Sequence, residues 1–135
     1  MKYYELTEHD HELIQVALEV IERNYDNKNY NHTVGSAIRC RNGKVYSGIN
    51  CDGIHGSCAE FISMGTARSA GEREFDTIVA VLKDAPNHLL PPCGNCRQML
   101  LEYSSDIKVI LNDENLNMVK VTISDLLPLA YKHSE

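Results

Sequence analysis

No apolar run in these 135 residues approaches the roughly 18 that a membrane span requires, and Met1-Lys2-Tyr3-Tyr4-Glu5 has none of the apolar character of a signal peptide. A membrane partner is set aside, and the chain is read as cytoplasmic. Clustered Lys and Arg are also missing: 13 basic residues face 19 acidic ones, a net charge of -6. That balance argues against a protein that gathers phosphates non-specifically, and so against nucleic acid as a partner. The five cysteines are an odd count, which suits a reducing compartment with a metal site better than a paired disulfide framework. No linker, repeat or low-complexity tract interrupts the sequence. Its length suits one domain, residues 1–135, large enough to bury about two thirds of its unfolded surface. A small neutral or zwitterionic substrate fits this chain better than a polynucleotide.

What is present reads as alternating elements. Thr7-Glu8-His9-Asp10 resembles a capping box with Asp in place of the usual Glu. Leu13, Ile14, Ala17, Leu18, Val20 and Ile21 then keep helical spacing, so an amphipathic helix is expected to about Asn24. Val34 to Cys40 and Lys44 to Ile49 are β-prone runs joined by Asn42-Gly43, a two-residue hairpin signal. Ser57 to about Ala70 reads as a second helix and Thr77 to Leu82 as a buried strand. Cys93 to Tyr103 reads as a third helix entered through Pro91-Pro92. Ile107 to Leu111 and Met118 to Val121 read as strands, and Ser124 opens a short last helix disturbed by Pro128. This order predicts an α/β domain, a mixed sheet with helices on both faces.

The chemistry lies in Cys58-Ala59-Glu60 and Pro92-Cys93-Gly94-Asn95-Cys96. Thiolates are zinc ligands, and a structural zinc takes four protein ligands whereas a hydrolytic one takes three and leaves a position open. Cys58, Cys93 and Cys96 therefore read as ligands of a catalytic Zn2+. Glu60 is too close to Cys58 to chelate the same ion comfortably, yet near enough to serve an attacking water. The zinc nucleobase deaminases use this set: a His or Cys two residues before a non-ligating Glu, then Pro-Cys-x-x-Cys. The expected reaction is hydrolytic deamination, in which Glu60 takes a proton from the water, protonates the ring nitrogen and then the leaving amine. If the three thiols lie in first helical turns, the unpaired N–H groups there lower their pKa. Three thiolates overbalance the ion's charge, and Arg97 is the obvious donor to offset the excess.

Plainer readings exist for each motif. Glu60 could be only the acidic member of a Ser57-Cys58-Ala59-Glu60 capping box. Cys93-Gly94-Asn95-Cys96 could be a thioredoxin-type dithiol, which leaves Cys58 and Glu60 unused. Cys51 could complete a four-cysteine structural zinc, making the chain a non-catalytic module. His9, His11 and His133 read as solvated and His88 as a loop residue.

These residues resemble the cytidine deaminase family, and within it the shorter blasticidin S deaminase-like branch. The likeness also runs through Val34-Gly35-Ser36-Ala37, the Gly43 hairpin, Gly48-Ile49-Asn50, Phe75 to Val81, Arg97-Gln98 and Asp125-Leu126-Leu127-Pro128. The resemblance implies a three-layer α/β/α sandwich with a five-stranded mixed sheet, and a homotetramer with active sites near subunit borders. It implies Zn2+ on Cys58, Cys93 and Cys96, with Glu60 as the proton shuttle. Asn50 matches an asparagine that holds the nucleoside, and Asp52 stands where a glutamate binds ribose. The implied substrate is a free 4-aminopyrimidine nucleoside, cytidine or deoxycytidine, with blasticidin S as the alternative. Departures fall around the substrate. The Asp52 to Cys58 loop is short, and Gly53 replaces an asparagine. His32 stands where a phenylalanine usually meets the base, and His55 lies in the short loop. Phe61 and Asn95 stand where relatives carry charge-offsetting arginines, and Tyr131 matches an aromatic that can reach a neighbouring subunit's pocket.

Overall fold

Thr7 caps the first helix, α1 (Glu8–Asn24), reciprocally with Asp10. The Thr7 hydroxyl accepts from the Asp10 N–H at 3.2 Å, and the Asp10 carboxylate accepts from the Thr7 N–H at 2.9 Å. The computed structural model describes residues 1–29 and 31–132; His133 lies outside them. Strand β1 (Val34–Cys40) turns into β2 (Val45–Ile49). Helix α2 (Ala59–Ser69) leads to β3 (Phe75–Leu82) and a short β4 (Ala85–Leu89). Helix α3 (Gly94–Tyr103), β5 (Lys108–Asn112), β6 (Met118–Thr122) and a one-turn α4 (Ile123–Leu126) follow.

The main path of the sheet is β2-β1-β3-β5-β6, parallel only between β3 and β5. This is the expected five-stranded mixed sheet, with β4 added on β3 as a sixth strand. Pro86 and Asn87 hide β4 in the sequence, since proline demotes a strand pattern. The pairing is correspondingly sparse, Val81 with Leu89 and Leu82 with Ala85 across a register shift. His88 thus lies in an exposed strand rather than a loop. The β1–β2 hairpin also differs in detail from the two-residue turn expected at Asn42-Gly43. Its loop is Arg41 to Gly43, closed by Cys40 N–H to Lys44 O at 2.8 Å and Gly43 N–H to Cys40 O at 2.9 Å, with Gly43 at φ +90°. A type I turn followed by a left-handed glycine makes a three-residue hairpin, which asks for the same Asn-Gly letters.

Alternation along the central strands divides the core between two helical layers. Leu13, Ala17 and Ile21 of α1 pack on Ala37, Val79, Val81 and Ile110, while Met64, Ala67 and Leu100 pack on Ile38, Ile78, Val109 and Leu111. The helices approach the sheet backbone to backbone. A Cβ on Gly35 would lie 2.2 Å from Ala17 O, and one on Gly48 would lie 2.4 Å from Ser63 N. Only glycine allows α1 and α2 to sit this close.

Among these apolar contacts sits a buried ionic network. Asp10, fully buried, takes Arg39 Nη2 at 2.8 Å and Lys120 Nζ at 2.6 Å, and Arg39 Nη2 also reaches Asp76 at 2.9 Å. Arg39 and Lys120 occupy the alternate positions that face α1, so both cations meet the start of that helix. Burial would raise the Asp10 carboxyl, but the Lys120 ammonium, the Thr7 N–H and the Arg39 guanidinium outweigh it and bring it down to about 2 from 3.8. A carboxyl depressed in the folded state stabilises above its unfolded pKa, and the contribution, about 2 kcal/mol, is lost as pH falls from about 4 to about 2. Asp10→Asn leaves the buried Lys120 without its anion and Arg39 with Asp76 alone, and should cost roughly 3 kcal/mol at neutral pH. Urea unfolding across pH should show that loss, together with a shallower acid slope than the unmodified chain. An unchanged slope would mean that another group titrates.

Candidate active site

Two helices begin against one another. Cys58 is the N-cap of α2 and Cys93 the N-cap of α3, each extended and without a side-chain capping bond, and Cys96 lies three residues into α3. The expected convergence of helix starts is present, with two of the thiols one residue ahead of the first turn. Cys58 Sγ and Cys93 Sγ are 3.8 Å apart, and all three Sγ atoms lie within 4.8 Å of one another. Tetrahedral sulfurs about 2.3 Å from a zinc ion are about 3.8 Å apart, so the trio fits Zn2+. It is the only such group of potential ligands among the described residues.

The thiols differ electrostatically. Burial pushes the Cys93 thiol up, but N–H groups of Cys96 and Asn95, with the neighbouring thiols, bring it below the ordinary range. Cys96, fully buried, is raised by burial and by the Glu60 charge. Cys58 is raised chiefly by burial. The free N–H groups that open α3 thus act as the nearest donors to a thiolate. Arg97 serves elsewhere: its Nε donates to Pro92 O at 2.7 Å and its Nη1 to Leu126 O at 2.9 Å. It braces the Pro-Cys turn against the end of α4.

Glu60 stands in the first turn of α2, 6% exposed, and burial raises its carboxyl. No side chain among the described residues bonds to that carboxylate. The capping-box reading fails, because the N-cap is Cys58 and not Ser57. The dithiol reading leaves out Cys58, which the fold brings to Cys93. Cys51 is outside the cluster of three, so the four-cysteine reading also fails. Cys51 and Ser57 instead exchange backbone hydrogen bonds, both 3.0 Å, that close the short loop between them.

A cavity of about 350 Å3 opens beside the thiols, walled by Val34, Asn50, Cys51, Cys58, Glu60 and Pro91, among others. A larger one of about 460 Å3 lies against α1 and contains none of the clustered cysteines. Asn50 is anchored rather than free, its Oδ1 taking the Val34 N–H at 3.1 Å and its Nδ2 facing Asp52 Oδ1 at 3.3 Å. Asp52 sits behind it and takes the His32 N–H at 2.7 Å. His55 is exposed in the loop. Sequence reasoning missed the walls made by Val34, which opens β1, and Pro91, in the connection before α3, because neither carries a chemical signal.

The three-thiol geometry makes a metal prediction. Cys51→Ser should retain one equivalent of zinc by elemental analysis, whereas Cys93→Ser should lose most of it after dialysis against a mild chelator. Equal losses from both variants would restore the four-cysteine reading.

Comparison with known proteins agrees with this geometry. The family model described as the cytidine and deoxycytidylate deaminase zinc-binding region matches residues 7–112. A blasticidin-S deaminase from Bacillus cereus is 39% identical over 141 residues, covering 97% of this chain and 98% of the relative. A cytidine deaminase from Halalkalibacterium halodurans is 35% identical, covering 73% of this chain and 76% of its own. The crystal structure of a cytidine deaminase from Burkholderia pseudomallei superposes with a TM-score of 0.75 at 31% identity, covering 93% of this chain and all of that one. Zinc-fitting thiols, a buried glutamate beside them and a family match over most of the sequence lead to one assignment: the chain belongs to the cytidine and deoxycytidylate deaminase family of zinc hydrolases.

Proposed function

We propose that this protein deaminates a free 4-aminopyrimidine nucleoside, cytidine or deoxycytidine, to the corresponding uracil nucleoside and ammonia. The observation that carries the reading is the buried carboxylate of Glu60 in the wall of a ligand-sized cavity that also holds Cys58. Cys58, Cys93 and Cys96 are the proposed zinc ligands. A zinc ion held by them would supply Lewis acidity to an attacking water. Glu60, with no side-chain partner among the described residues, is free to take the water's proton and pass it to the ring nitrogen, then to take the proton of the newly added hydroxyl and pass it to the departing amine as the carbonyl forms. Its burial keeps bulk water from competing for that proton. The N–H groups at the start of α3 offset thiolate charge, and Arg97 holds the turn that carries Cys93. Asn50 supplies a polar group of the cavity wall, with Asp52 hydrogen-bonded to it.

Blasticidin S is the second reading, supported by the 39% identity to the Bacillus cereus enzyme over almost the whole chain and by the acidic Asp52, which favours a cationic tail. The ring chemistry is the same for both. Only the rest of the ligand distinguishes a salvage enzyme from a resistance enzyme. The resemblance further supports a cytoplasmic homotetramer acting in pyrimidine salvage. All five cysteines are free, as a reducing compartment requires, and Leu129 and Tyr131 expose apolar surface near the carboxyl end.

Ultraviolet-monitored deamination by the zinc-loaded chain should give a measurable kcat/KM with cytidine. Glu60→Ala should keep its zinc and lose at least about a thousandfold in kcat, within the range of a positioned acid-base group. Loss of zinc in that variant would contradict the separation of ligand from proton carrier. A higher kcat/KM for blasticidin S by about tenfold, roughly 1.4 kcal/mol, would select the second reading.

A further inference from the structure

His32 lies two residues before β1 in the left-handed region, at φ +63°, where non-glycine residues are uncommon. Hydrogen bonds hold it there. Asp52 Oδ2 takes its N–H at 2.7 Å, and its ring Nδ1 lies 2.9 Å from Asn50 O. Asn50 closes the ring of contacts through its own amide, which faces Asp52 and takes the Val34 N–H. The network therefore ties His32 and Asp52 to Asn50 and Val34, two residues of the cavity wall.

The bonding fixes the tautomer. A carbonyl oxygen only accepts, so Nδ1 carries a proton, and in the neutral ring Nε2 is left as an acceptor. No described residue bonds to Nε2, and the side chain remains 35% exposed. Asp52, by contrast, has both oxygens engaged within the protein, one by His32 and the other by Asn50. Nε2 is therefore the imidazole atom of this network left without a partner among the described residues, on a side chain about as exposed as that of Asp52.

We infer that His32 is a specificity-determining residue, whose Nε2 accepts a hydrogen bond from a hydroxyl or amine donor on the non-reacting portion of the substrate. Asp52 is a positioning residue that acts through it. This inference rests on the nucleoside-deaminase reading and assigns the partner of the part of the ligand that is not the pyrimidine ring. A substrate lacking that donor leaves Nε2 without its partner in the bound complex, which costs binding and not chemistry.

The test is a set of variants of the zinc-loaded full chain, assayed with cytidine and with blasticidin S. His32→Asn suits the left-handed backbone and supplies an amide donor to the Asn50 carbonyl, but has no atom where Nε2 stood. It should raise KM for the preferred substrate about fivefold with kcat within about twofold, the scale of one lost hydrogen bond. A purely structural histidine would leave His32→Asn with the parent's KM, and that result overturns the inference. His32→Gly, at home at this φ, gives the same readout if the Asn variant is unstable. Asp52→Ala should also raise KM, and the double variant His32→Asn/Asp52→Ala should be no worse than the poorer single one, because the two side chains act as a unit. Additive losses would overturn the positioning role of Asp52. A parent chain that deaminates neither substrate would overturn the functional reading and the inference together, a result distinct from normal turnover with an unchanged KM.

Discussion

Helix α2 lies backbone against backbone on β2 at Gly48, and the site depends on that contact. Gly48 is the point of closest approach, where an added Cβ would come within 2.4 Å of Ser63 N and 2.7 Å of Ile62 C. Both are backbone atoms, so the clash could be relieved only by moving the helix. α2 carries Cys58 at its cap and Glu60 in its first turn, and β2 runs directly into Asn50 at the cavity wall. One close packing therefore sets the spacing between the thiol, the carboxylate and Asn50. The opposite layer uses the same device at Gly35 beneath α1.

The other two thiols, Cys93 and Cys96, arrive by a different route. β3 and β5 are parallel, and parallel neighbours need a crossover, supplied here by β4 and α3. That crossover begins on the same side of the sheet as α2, so the start of α3 meets the start of α2. Helix N-termini are electropositive and rich in unpaired N–H groups. Bringing two of them together is unfavourable unless something negative lies between, and thiolates with a buried carboxylate supply it. The lowered Cys93 thiol reflects this field. Arg97 and its two carbonyl acceptors keep the turn before Cys93 in place.

The zinc trio was legible because its residue types and spacings mean little else once three thiols and a glutamate occur together. The helices and five principal strands were legible from periodicity, since each buries one face. What escaped were features that depend on residues distant in sequence. Asp10 looked like an ordinary capping residue, but it is short because its carboxylate must also receive Arg39 and Lys120 from two strands. β4 escaped because its letters are turn formers, and Leu89 is held partly by the Asn112 side chain, at 2.7 Å from its N–H. Asp52 suggested a ribose contact. Its carboxylate also takes the His32 N–H, a pairing that exists only after the chain entering β1 and the chain leaving β2 lie side by side.

The central claim is that three thiolates, and not four, hold the metal, and that Glu60 remains outside its ligand shell. X-ray absorption at the zinc edge of the purified, metal-loaded protein tests it most directly. The account predicts a shell of three sulfurs near 2.3 Å and one lighter atom, unchanged in Glu60→Ala. Four sulfurs in that shell would contradict it and would make the chain a structural zinc module.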